Sequence, residues 1–138
     1  MGLILDSTLF IHAERAGSTP TELVREVLDQ FGDQTVALSV MTAGELFHGC
    51  WRAEDPRRRA QREEFVAAVL MAVPVVPLEP PMMRVFGEVD AGLRQRGKTL
   101  PTSDLLIGCT ALYRNDAVVT GNVRHFEQIP GLVVHRLG

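Results

Sequence analysis

Five short apolar runs punctuate the chain: Leu3-Ile4-Leu5, Val36-Ala37-Leu38, Val75-Val76-Pro77-Leu78, Ala117-Val118-Val119-Thr120 and Leu132-Val133-Val134. They are too short for helices, and they are uniformly apolar rather than alternating. Strands read this way when both faces of their sheet are covered. The segments between them carry helical periodicity, and parallel strands need such crossover connections. The pattern predicts an α/β fold, a roughly five-stranded, mostly parallel central sheet with helices on both faces.

Local signals place the helices. Thr8 to Ala13 can open one after the first strand, and Ser18-Thr19-Pro20 starts another that carries Leu23, Val27, Leu28 and Phe31 and ends at Gly32. Ser39 caps a helix bearing Met41, Glu45, His48 and Arg52, and Asp55-Pro56 starts the next, with Phe65, Val66, Val69 and Leu70 on its buried side. These two are expected to form a hairpin. Pro77 marks the third strand as an edge strand or one that ends early. Pro80-Pro81 opens a helix with Val85, Phe86, Val89 and Leu93, closed by Gly97, and Thr102 and Ser103 offer hydroxyl caps for a helix over Asp104 to Arg114. A length of 138 residues, 46% of them hydrophobic, suits a single domain spanning 1–138.

The chemistry is carried by acids at the ends of these elements. Asp6 stops the first strand, Glu45 lies just after the second, Asp104 opens a helix, and Asn122 follows the fourth strand after Thr120 and Gly121. Each has a plainer reading. Asp6 could cap the next helix, Glu45 could pair along its helix with His48 or Arg52, Asp104 suits the helix dipole, and Asn122 is an ordinary turn residue. Parallel strands, however, bring their carboxyl ends to one edge, where ligands of such sheets bind. Three carboxylates gathered there repel one another unless a cation neutralises them. Oxygen ligands without a cysteine or histidine cluster favour Mg²⁺ or Mn²⁺ over zinc, and such an ion suits phosphodiester hydrolysis.

These residues are similar to a known pattern. An apolar strand ending in Asp6-Ser7-Thr8, then Thr42-Ala43-Gly44-Glu45-Leu46, then Leu100-Pro101-Thr102-Ser103-Asp104-Leu105-Leu106-Ile107-Gly108, and last Val118-Val119-Thr120-Gly121-Asn122-Val123-Arg124-His125-Phe126 with the Pro130-Gly131-Leu132 turn resemble the PIN-domain ribonucleases. Within these the chain is most similar to the VapC-type toxins of toxin–antitoxin pairs, and the likeness runs nearly end to end. The resemblance implies a PIN-like three-layer fold and a Mg²⁺- or Mn²⁺-dependent endoribonuclease site. Its catalytic residues would be Asp6, Glu45, Asp104 and Asn122, the three acids being the metal ligands, with Thr8 and Thr120 as supporting hydrogen-bonders. It also implies a homodimer and a cognate antitoxin whose tail enters the site. Many PIN domains carry a fourth aspartate where this chain has Asn122, which puts a second metal in question, because an amide ligates more weakly than a carboxylate.

The formal net charge of -3 removes the overall basic field common among nucleic-acid binders, so RNA contact must come from local patches or through metal. Arg57, Arg58, Arg59 and Arg62 sit at a helix start, where cations gain nothing from the dipole, and are candidates for contact with RNA or antitoxin. Arg124, Arg94, Arg96, Lys98 and Arg114 are further candidates. One Trp and one Tyr give no stacking platform for a series of bases. Cys50 and Cys109 read as core residues rather than a disulfide or zinc pair, and His12, His48, His125 and His135 as scattered structural or surface residues. The longest uncharged apolar stretch, Phe65 to Leu78, is broken by Pro74 and Pro77 and falls short of the ~18 residues of a spanning helix. With no secretory signal in view, a soluble cytoplasmic protein is expected. The rival readings are a catalytically silent PIN-like module that binds RNA or a protein partner, and a phosphatase or phosphorelay receiver. The haloacid form of the phosphatase needs a second aspartate where this chain has Thr8.

Overall fold

The computed structural model describes residues 1–138. The elements run β1 (Leu3–Leu5), α1 (Ser7–Arg15), α2 (Pro20–Phe31), β2 (Val36–Ser39), α3 (Val40–Arg52), α4 (Pro56–Ala72), β3 (Val75–Val76), α5 (Pro80–Gln95), α6 (Thr102–Arg114), β4 (Ala117–Val119), α7 (Val123–Glu127) and β5 (Val134–His135). The five strands form one sheet in the order β3-β2-β1-β4-β5, and every neighbouring pair is parallel. β3 is an edge strand that stops before Pro77, because proline has no N–H for the ladder. The last strand begins two residues later than the apolar run Leu132-Val133-Val134 suggests, at Val134.

Strand residues alternate between two cores. Leu3, Leu5, Leu38, Ala117 and Val119 pack with α1 to α4, while Ile4, Ala37, Val76 and Val118 pack with residues of α5, α6 and α7. Both faces are therefore covered, which is why β1 and β4 carry no polar residue at all. Cys50 and Cys109 are free and buried, one in the core and one on α6, and burial pushes the Cys109 thiol up to about 11. They serve as small core residues.

Several starts follow their local signals. Thr19 and Glu22 form a reciprocal capping box at α2, the Ser39 hydroxyl accepts from the Met41 N–H, and the Asp55 carboxylate accepts from the Arg57 N–H. α3 and α4 form the expected hairpin, tied by Arg62 Nη1 donating to Gly49 O at 2.9 Å and Arg59 Nη2 donating to Ala53 O at 3.0 Å. The start of α6 differs from expectation. The helix begins at Thr102 behind Pro101, and no side chain caps it. α7, five residues long, was not evident from periodicity because it is too short to show a stripe. No helix is long and apolar enough to cross a membrane.

Topology fixes where chemistry can occur. From β1 the chain builds outward to β2 and β3, then returns to the other side of β1 for β4 and β5. The strand order reverses between β1 and β4, and the crevice beyond the carboxyl ends of such strands is the usual ligand site.

Candidate functional site

Asp6 follows β1 and is 2% exposed. It occupies the N-cap position of α1, yet its side chain caps nothing. Oδ2 instead accepts from Thr8 Oγ1 at 2.9 Å and from Thr120 Oγ1 at 2.8 Å. Each hydroxyl has a single proton, so both are spent on Asp6, and the 3.4 Å contact between the two hydroxyl oxygens is not a third bond. Both oxygens also accept backbone N–H groups from the segment after β4, Thr8 Oγ1 from Gly121 at 2.9 Å and Thr120 Oγ1 from Asn122 at 2.9 Å. The two threonines thus lock the carboxylate to the β4–α7 loop. Oδ1 is buried with no partner.

Glu45 reaches the same crevice from α3. Its Oε2 accepts from Ser103 Oγ at 3.3 Å, and its Oε1 is buried without a partner. Its carboxyl pKa is raised, chiefly by burial and next by the Asp6 charge, with the Ser7 and Ser103 hydroxyls opposing and Asp104 adding a further push. Ser103 therefore serves the site rather than the start of α6. Asp104, in the first turn of α6, accepts from His125 Nδ1 at 2.8 Å. Burial raises its pKa most, the His125 hydrogen bond opposes, and Asp6 raises it again. The mutual effects place all three carboxylates in one electrostatic neighbourhood.

Asn122 lies at the mouth of this group, its amide 2.7 Å from the same His125 Nδ1. With Asp104 ionised, that nitrogen carries the proton and donates. Nδ1 has only that one proton, so the carboxylate and the amide share a single ring nitrogen rather than each holding a full bond to it. His125, read from the sequence as a structural or surface residue, is therefore part of the site. The signal for it was its place three residues after Asn122, one turn along a helix. Ser7 was likewise visible only as a neighbour of Asp6, and Ser103 only as a helix cap.

The donor set is all oxygen, and two buried carboxylate oxygens, Asp6 Oδ1 and Glu45 Oε1, are free to ligate. An orphaned carboxylate oxygen is costly unless something positive meets it. No three His, Cys, Asp or Glu side chains are gathered tightly enough to enclose an ion by themselves. Oxygen donors of this kind suit Mg²⁺, which is held through one or two carboxylates and completes its shell with water.

The arginines divide. Arg57 and Arg58 are exposed, as is Arg124 beside Asn122. Arg59 and Arg62 are engaged at the end of α3, Arg59 also lying 5.0 Å over the Trp51 ring. Arg94 pairs with Asp90 and Arg114 with Asp116, while Arg96 and Lys98 are exposed at the end of α5.

A family model described as the PIN domain matches residues 3–132. Among curated relatives, a protein named Ribonuclease VapC from Rickettsia bellii (strain RML369-C) is 28% identical over 134 residues, covering 97% of this chain and 95% of that one. Among solved structures, VapBC2 from Rickettsia felis bound to a DNA fragment from its promoter superposes with a TM-score of 0.86 at 22% identity, covering 100% of both chains. VapBC-1 from nontypeable Haemophilus influenzae gives 0.83 at 22% identity, covering 99% and 98%. At such identities the structural likeness establishes the fold.

Proposed function

The chain belongs to the PIN-domain family, and from that premise we propose that it is a metal-dependent endoribonuclease, the VapC-like toxin of a type II toxin–antitoxin pair. The observation that carries the reading is the gathering of Asp6, Glu45 and Asp104 at the carboxyl edge of the sheet, with Asp6 Oδ1 and Glu45 Oε1 buried and unpartnered. The ribonuclease names of relatives that match nearly the whole chain support the chemistry, and the VapBC complexes among the structural neighbours support an antitoxin partner.

In this reading Asp6, Glu45 and Asp104 would hold Mg²⁺ or Mn²⁺, with Asn122 assisting. The bound ion lowers the pKa of a coordinated water and offsets charge on the phosphate and the leaving oxygen. Thr8 and Thr120 hold Oδ2 of Asp6, so that Oδ1 keeps one direction into the crevice. His125 does the same for Asp104 by holding its Oδ2, and Ser103 for Glu45. Such outer contacts fix ligand orientation before anything binds. Assembly as a homodimer belongs to the same proposal. Phe47 and Trp51, one turn apart on α3 and 43% and 66% exposed, are apolar surface of the kind that partners cover.

The test is RNA cleavage by the purified chain. Cutting with Mg²⁺ or Mn²⁺ that stops with chelator, and that is lost in Asp6→Ala and Asp104→Asn while both variants stay folded, is the expected result. Undiminished cutting in either variant defeats the assignment. A second reading, a catalytically silent module that binds RNA or protein through the same crevice, draws on the lack of a tight acidic cage. Calorimetric titration with Mn²⁺ separates the two, since the silent module takes up no ion.

A further inference from the structure

Beside the acids runs a groove of about 720 Å³. Its inner end is Thr8, Thr120, Gly121 and Asn122, the rim of the Asp6 site. From there it passes between α1 and α2 to the carboxyl-terminal segment, where Arg136 lines it, with Arg15 and His12 on the α1 side. The volume lies in the range of ligand clefts.

The outer wall is built rather than loose. Gln30 on α2 donates from Nε2 to Arg136 O at 3.0 Å and accepts the Gly138 N–H on Oε1 at 2.8 Å. The His135 ring lies 4.9 Å from Phe31, tilted against it. The backbone at Arg136 is thus fastened from both sides, yet its guanidinium, like that of Arg15, is exposed and makes no ion pair or side-chain hydrogen bond. The ion pairs of the molecule lie elsewhere. Glu26 is the one acidic side chain on the groove, which Gly138 also lines.

We propose that this groove carries one flank of the RNA strand that is cut at the acids, with Arg15 and Arg136 meeting its phosphates. The inference rests on the nuclease reading and extends it to the path of the substrate. Charge decides between occupants. A basic peptide is repelled by the arginines, and an acidic one brings no phosphodiester to a metal held at the acids. A polyanion that meets bound metal at one end of the groove and guanidinium groups at the other is satisfied along its length. Apart from Ser18 and Gly138 the remaining lining is aliphatic, with no Phe, Tyr or Trp, so bases are not stacked in series and the strand is held through its backbone.

The test is equilibrium binding of a short, labelled, mixed-sequence single-stranded RNA to the full chain carrying Asp104→Asn, in Mg²⁺, followed by fluorescence anisotropy across salt concentrations. Adding Arg15→Ala and Arg136→Ala together is expected to weaken binding about tenfold or more and to flatten the dependence of log K on log salt by roughly 0.7 per lost phosphate contact. Lysine at both positions restores most of the affinity. Arg84→Ala, on α5 across the sheet, leaves it unchanged. Binding and salt slope equal to those of the Asp104→Asn parent would overturn the groove, and if the unsubstituted chain still cuts RNA, the nuclease reading survives alone. If the unsubstituted chain cuts no RNA and the parent binds none, both fall together.

Discussion

At the scale of single residues, the site depends on how Asp6 spends its oxygens. An aspartate at the start of a helix ordinarily caps it, but here both available hydroxyl protons converge on Oδ2 and the helix start goes uncapped. Thr120→Val removes one of these donors and also strands the Asn122 N–H. Manganese affinity and cleavage should each fall about 10- to 100-fold with the fold retained, as for other outer partners of metal ligands. Calorimetry and initial rates check this. Glu45 and Asp104 carry the cost of the arrangement, since burial and neighbouring acids raise both pKa values from their usual carboxyl values. The folded state therefore holds their protons more tightly than the unfolded one, so rising pH takes stability away between the ordinary pKa and the folded one, and the loss is complete above it. In chelator, Glu45→Gln should be more stable than the parent at neutral pH by less than about 1 kcal/mol, given solvent screening of a half-exposed group. The gain should vanish below about pH 4, where the parent is protonated in both states. Urea denaturation at several pH values measures it. Asp6 and Asp104 could be picked out from sequence because they end or begin strongly patterned elements. The His125 contact could not, because it depends on how a five-residue helix turns after β4.

At the scale of elements, the same residue types take different work according to where the chain delivers them. Ser39 and Asp55 cap the helices their positions suggest, whereas Ser103, in the same kind of setting, turns to Glu45. Local propensity makes a hydroxyl before a helix a good cap, and only the approach of α3 to α6 offers it a better partner. The Arg57–Arg62 run shows the reverse limit. Its charge was legible, but Arg62 and Arg59 point back to the carbonyls that α3 leaves unsatisfied at its end. Arg62→Ala should accordingly destabilise the α3–α4 hairpin by about 1 kcal/mol in thermal or chemical denaturation, with or without RNA. Arg57→Ala and Arg58→Ala, both exposed, should leave stability within about 0.5 kcal/mol. A result in which Arg62→Ala costs no stability and only weakens RNA binding would return it to the contact surface.

At the scale of the whole molecule, topology gathers distant acids at one edge of the sheet. The sheet order β3-β2-β1-β4-β5 opens a crevice where β1 and β4 diverge in connection. The segments leaving β1, β2 and β4, together with the start of α6, deliver Asp6, Glu45, Asn122 and Asp104 there. The parallel sheet and its two covered faces follow from five short apolar runs, and the edge position of β3 follows from Pro77. The orientation of the helices, and with it the groove past Arg15 and Arg136, arises from packing between segments distant in sequence. In the proposed site the acids would hold a metal ion through two carboxylate oxygens kept open for it. Anomalous scattering from Mn²⁺-soaked crystals tests it most directly. A peak is expected at the carboxyl end of β1, in contact with Asp6 Oδ1 and directly or through water with Glu45 and Asp104. The absence of a peak at saturating Mn²⁺, or a peak only at other carboxylates, would contradict it.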